Sequence, residues 1–156
     1  MNRRHIYMAA VFCVAAVSTA GCEKKNDDAE ARAVIQDGVQ QIEKASLSTD
    51  IAFIDYTADK TDMQIMLYKD DQNVVHGAFN TCQVCNGSPY AYFVQEEDDV
   101  VCQNCGNHFS VNEIGTAHGG CNPVPLEFEQ DEDTVKISTV YLDENAELFI
   151  NWKKGI

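Results

Sequence analysis

The sequence predicts a mainly β domain of the α+β class: small, β-rich, with zinc-ribbon-like paired CxxC knuckles and one N-terminal amphipathic helix. Three observations predict it. Two CxxC pairs, Cys82-Gln83-Val84-Cys85 and Cys102-Gln103-Asn104-Cys105, stand sixteen residues apart with a hairpin-like insert between them. From Asp50 onward, short runs rich in β-branched and aromatic residues alternate with polar turns, the pattern of strands. Before them, Ala31, Ile35, Gly38 and Ile42 recur at helical spacing, with Val34 and Val39 beside them.

The elements follow in order. Residues 1–21 have a positive start (Arg3, Arg4), an apolar run from Ile6 to Val17 and small residues after it. This is the layout of an export signal, with an apolar run too short to span a bilayer comfortably. Thr19-Ala20-Gly21-Cys22 resembles a bacterial lipoprotein cleavage site, in which the Cys becomes the first mature residue and carries lipid, although Thr19 stands where Leu is usual. An ordinary cleaved signal with a free Cys22, or an uncleaved anchor, is the alternative. Each places the domain outside the cytoplasm, in the cell envelope beside a membrane. Residues 22–28 form a polar tether. Residues 29–48 are expected as the helix, packed on the domain or acting as a spacer, and 50–156 as the Cys-rich β domain. Within it, Ile51 to Tyr56, Met63 to Tyr68 and Val74 to Phe79 are expected strands, the last two joined by the turn Lys69 to Asn73. Tyr90 to Val94 and Val100-Val101 form a second hairpin around Gln95 to Asp99. Thr134 to Tyr141 and Glu147 to Trp152 are the last strands.

Charge and size narrow the function. The chain has 156 residues and a net charge of -14; losing Arg3 and Arg4 with the signal takes it to -16. So acidic a chain opposes nucleic-acid binding, which needs Lys and Arg against phosphate. Seven cysteines cannot all pair as disulfides. Cys13 lies inside the signal, and Cys22 is the expected lipidation site.

Four cysteines carry the chemistry. The spacing C-x2-C-x16-C-x2-C lies in the range of four-thiolate metal sites. A CxxC turn aims both thiolates at one point, and a hairpin between two such turns sets them face to face. Asn86-Gly87 and Gly106 suit a chain leaving each turn at positive φ. Four thiolates at Cys82, Cys85, Cys102 and Cys105 suit iron, an iron–sulfur cluster or zinc. Two disulfides, or a redox-active CxxC, are the competing readings. A fifth cysteine, Cys121, sits in the loop His118-Gly119-Gly120-Cys121-Asn122-Pro123 and is a candidate for a further ligand or a redox thiol. His118 and His108, each three residues from a cysteine, are further candidates; His76 is a weaker one. No Ser-His-Asp set, phosphate loop or catalytic carboxylate pair supports an enzyme.

Several of these residues carry a family resemblance. Ala78 to Cys85, Val101 to Gly106 with Phe109, Ile114-Gly115 and Gly119 to Leu126 resemble the FtrD-like family of membrane-associated iron–sulfur proteins, whose motifs read AFDxCxxC, CxNCGxxF and GGCNPxPL. The resemblance spans roughly Asp50 to Ile150. Asn80 stands where the family has Asp, and a lipoprotein-type signal stands where many members have several transmembrane helices. The resemblance implies an extracytoplasmic iron–sulfur or metal centre serving iron transport. It implies ligation by Cys82, Cys85, Cys102, Cys105 and Cys121, and partnership with an iron permease or a neighbouring redox protein.

Overall fold

The structure, a computed structural model, describes residues 31–153. The expected signal, tether and lipidation site at Cys22 lie outside the described residues. The mainly β expectation holds: three small antiparallel sheets form the framework of the described residues. Among the described residues the strands are β1 (Ala33–Gln36), β2 (Val39–Glu43), β3 (Ala52–Ala58), β4 (Thr61–Lys69), β5 (Val75–Cys82), β6 (Phe93–Glu96), β7 (Asp99–Cys102), β8 (His108–Ser110), β9 (Pro123–Pro125), β10 (Glu129–Gln130) and β11 (Thr134–Ser138), with one α-helix, α1, at Thr139–Glu144. The first sheet runs β1-β2-β11-β10, the second β3-β4-β5-β9 and the third β6-β7-β8.

The second sheet is the middle of the molecule. Its strand β4 is buried from Met63 to Tyr68, and its period of two sorts side chains to two faces. Met63, Ile65 and Leu67 join Val75 and Phe79 of β5 in one core with Ile42, Val135, Ile137, Leu142, Phe149 and Trp152. Met66, Tyr68, Ala78 and Cys82 join a second core with Phe93, Val100, Cys102 and Ile114. The first core contains no cysteine; the second is built around the knuckles.

The predicted helix over 29–48 is overturned across the described residues. It is a β-hairpin, β1 paired with β2 from Ala33 opposite Ile42 to Gln36 opposite Val39, closed by Asp37-Gly38. Both turn residues have positive φ, 51° and 75°, the requirement of the two-residue hairpin turn that twists with its strands. Ile35 of the expected apolar stripe and Val34 beside it are 59% and 61% exposed. A short 3-10 helix, Lys44–Ser46, is all the helix this segment keeps. The expected strand 134–141 stops at Ser138, whose side chain accepts from the amide of Tyr141 and caps α1. The expected strand over 147–152 is instead a 3-10 helix at Ala146–Phe149, which delivers Phe149 against Phe79, with ring centroids 5.9 Å apart.

Candidate metal centre

Each CxxC pair begins at the end of a strand. Cys82 closes β5 and Cys102 closes β7. In the first knuckle the Asn86 amide donates to the Cys82 carbonyl at 2.9 Å, and the Cys85 amide donates to the Cys82 Sγ at 3.4 Å. The second repeats the design: the Gly106 amide donates to the Cys102 carbonyl at 2.8 Å, and the amides of Asn104 and Cys105 point at the Cys102 sulfur. Gly87 and Gly106 leave the knuckles at φ of 91° and 71°, as expected.

One short segment holds the knuckles face to face. The Ala91 carbonyl accepts from the Cys82 amide at 3.0 Å, and the Tyr92 carbonyl accepts from the Gln103 amide at 2.8 Å. Phe93 pairs with Cys102 across β6 and β7. Ser88 Oγ donates to Asn104 Oδ1 at 2.6 Å, tying the first turn to the second. Residues 91–93 are in turn fixed by Asn80, buried two positions before Cys82. Its Oδ1 accepts from the Phe93 amide at 2.6 Å; its Nδ2 donates to the Phe93 carbonyl at 3.2 Å and to Gln64 Oε1 at 2.7 Å. A carboxylate, all acceptor when ionised, could not make those two donations, so Gln64 and Asn80 act as a matched pair. We expect Asn80→Ala to leave the Phe93 amide and Gln64 Oε1 buried without partners, costing about 1–3 kcal/mol, visible as a lower urea midpoint and faster hydrogen exchange at 91–93.

The result is a cluster of five thiols. Sulfurs of Cys82, Cys85 and Cys102 lie within 4.8 Å of one another, as do those of Cys85, Cys105 and Cys121. Cys85 belongs to both groups. Cys82 and Cys102 are buried, Cys85 and Cys121 half-buried and Cys105 exposed, so the cluster runs from the second core to the surface. Cys121 arrives on a loop clamped by Gln83, a residue inside the first CxxC. The Gln83 amide donates to the Asn122 carbonyl at 2.9 Å, its Nε2 to the carbonyls of Ala117 and Pro123, and its Oε1 accepts from the Gly119 amide at 2.9 Å. Nothing in the sequence pattern announces that clamp, because Gln83 meets its partners only after the chain has gone round the third sheet.

The electrostatics are those of crowded sulfurs. Burial pushes the Cys85 and Cys102 thiols up, Cys102 to about 12. The Cys121 thiol is pushed up to about 12, first by its hydrogen bond to Cys105. Cys105 is lowered, chiefly by the Asn107 amide. Negative charge cannot gather here without a cation to offset it. All five donors are soft sulfur, which suits iron, an iron–sulfur cluster or zinc and disfavours hard ions such as Mg²⁺ or Ca²⁺. The donor set therefore fits an iron or iron–sulfur group.

The histidine candidates lie apart from this cluster. His108 is exposed, with its Nδ1 3.4 Å from Asp99 Oδ2. His118 is exposed in the loop before Cys121 and belongs to neither sulfur group. His76 stacks on Tyr68 and pairs with Asp70 at 3.0 Å.

Comparison with known families turns on the same segment. The family described as membrane iron-sulfur containing protein FtrD-like matches residues 47–149, more than half of the chain. The chain belongs to the FtrD-like family. No curated protein and no solved structure matches it. The FtrD-like match begins just before β3 and ends at Phe149, so it takes in the whole second core and all five clustered cysteines, and leaves out the β1–β2 hairpin and Trp152, which complete the first core. Among the described residues no helix is long and apolar enough to cross a membrane.

Proposed function

We propose that the protein is a membrane-anchored, extracytoplasmic electron carrier of iron transport, with an iron or iron–sulfur centre held by Cys82, Cys85, Cys102 and Cys105. The carrying observation is the sulfur cluster itself, buried at Cys82 and Cys102 and open to solvent at Cys105. Burial and amide donors to sulfur tune a redox centre, and an exposed edge lets a partner reach it. Cys82, Cys85, Cys102 and Cys105 would hold the group, which when bound would supply one-electron transfer, and the exposed Cys105 edge would be where a redox protein or an iron-permease assembly approaches. Lipid on Cys22 would hold the domain beside that permease, and its acidic surface would favour a basic docking face.

The knuckle hydrogen bonds also favour a second reading, a structural zinc site in a binding module, because amide donors to thiolate serve zinc equally. Metal analysis separates the two. The full chain is purified without oxygen in detergent, and iron, acid-labile sulfide, zinc and copper are measured per chain beside the visible spectrum. Iron with thiolate charge-transfer absorption is expected. Zinc alone, with no visible absorption, would sink the electron-transfer reading and leave the structural one.

A further inference from the structure

The number of sulfurs exceeds what one tetrahedral position set needs. Four thiolates at the usual 2.3 Å from a single ion stand about 3.8 Å apart; here five sulfurs fall into two overlapping groups, each within 4.8 Å. The groups are unequal. Cys82, Cys85 and Cys102 sit at the inner end, two of them buried, and are fixed by β5, β7 and the 91–93 segment. Cys105 and Cys121 sit together at the outer end, their sulfurs within 4.8 Å of each other and of Cys85. They come from opposite supports. Cys105 belongs to the second knuckle, whereas Cys121 is fastened to the first by four hydrogen bonds of Gln83. A loop so anchored is a built feature of the site.

We infer that Cys105 and Cys121 are interchangeable ligands for one outer coordination position, above an invariable inner seat of Cys82, Cys85 and Cys102. The inference rests on the metal-centre reading and deepens it. The exchange is a ligand substitution with no net redox change: the Cys121 thiol gives its proton to the departing Cys105 thiolate, one metal–sulfur bond breaks and another forms. Swapping ligands at the exposed corner lets the centre change its outer ligand without opening its buried seat, where a docked partner would make contact.

The test uses the full chain, purified without oxygen in detergent, and the variants Cys105→Ala, Cys121→Ala, the double variant and Cys82→Ala. Alanine is chosen because a serine oxygen could itself ligate. Iron per chain, the visible and electron-paramagnetic spectra and, as a folding control, amide hydrogen exchange at 51–68, in the second sheet outside the knuckles, and at 93–110 are read for each. Each outer single variant should keep at least half of the wild-type iron, with a shifted spectrum for Cys105→Ala; the double variant and Cys82→Ala should lose it at least tenfold. Complete loss in either outer single variant, or retention in the double, overturns the inference. In wild type, thiol alkylation read by mass spectrometry should label Cys105 and Cys121 each in part. Full protection of Cys105 with full labelling of Cys121 overturns it even if a variant fails to fold. Iron-loaded wild type with that exclusive pattern leaves the metal-centre reading standing; wild type without bound metal overturns both.

Discussion

Cys102→Ala should abolish metal binding and melt the third sheet while the rest of the fold stands. Cys102 is wholly buried, belongs to the inner sulfur group and pairs with Phe93 across the β6–β7 ladder. The strands of the third sheet are three or four residues long, too short to hold together without packing behind them. That packing is the second core, which contains Cys82 and Cys102 themselves. Metal bound by a folded site adds its binding energy to folding, about 10 kcal/mol or more for structural zinc in small domains. The first core is a separate matter. Phe79, Phe149, Leu142 and Trp152 pack there without any cysteine, and Trp152 is the single tryptophan of the chain. Hydrogen exchange at 93–110 should therefore rise to that of open chain, while Trp152 emission stays native. A red-shifted Trp152 would show that the centre staples the whole domain as one cooperative unit. Unchanged exchange at 93–110 would show that the thiols bear no load.

The same division explains what could be read from the sequence. Ligand spacing is local: two residues inside a knuckle and sixteen between knuckles are set by a turn and a hairpin, so Cys82, Cys85, Cys102 and Cys105 could be grouped before any tertiary contact was known. Strands β4 and β5 were legible because Met63 to Tyr68 is apolar but for Gln64, Val74 to Phe79 resumes extended character, and the polar turn Lys69 to Asn73 stands between them. The hairpin β1–β2 hides in the sequence because Ala31, Ile35, Gly38 and Ile42 satisfy a helical period by coincidence, while Asp37-Gly38 closes a turn. The dipeptide was the better signal, since two consecutive residues at positive φ are incompatible with a helix. At the other end, the alternation Val135, Ile137, Thr139, Tyr141 describes a strand only as far as Ser138. A residue whose hydroxyl caps the following turn can end a strand and begin a helix without disturbing the pattern. The place of Cys121 beside Cys85 and Cys105 was beyond reach from the residues alone, because it depends on Gln83 meeting a loop 34 to 40 positions away.

Gly115→Ala should be the most damaging change outside the cysteines. Gly115 follows the buried Ile114 and opens the segment that carries Cys121. Its φ is +77°, and a Cβ there would stand 2.5 Å from the carbonyl oxygen of Gly77 in β5. The left-handed backbone alone costs a residue with a side chain roughly 1–2 kcal/mol. The clash adds about 1–3 kcal/mol, the usual penalty of overpacking. It cannot be relieved by a rotamer change, because Gly77 lies in the ladder of the second sheet, opposite Leu67. Gly77→Ala is the informative control. Its Cβ would come within 2.6 Å of Leu67 Cδ2 and 3.0 Å of Phe128 Cε1, contacts just as close, but with the ends of side chains that can turn aside. We therefore expect the urea midpoint to fall further in Gly115→Ala than in Gly77→Ala, and Cys121 to alkylate faster in the first alone, as its loop is pushed off β5. An equal or smaller loss in Gly115→Ala would mean that the 111–121 segment can shift away from Gly77 freely, and that Cys121 is held beside Cys85 by the Gln83 clamp without help from the sheet beneath it.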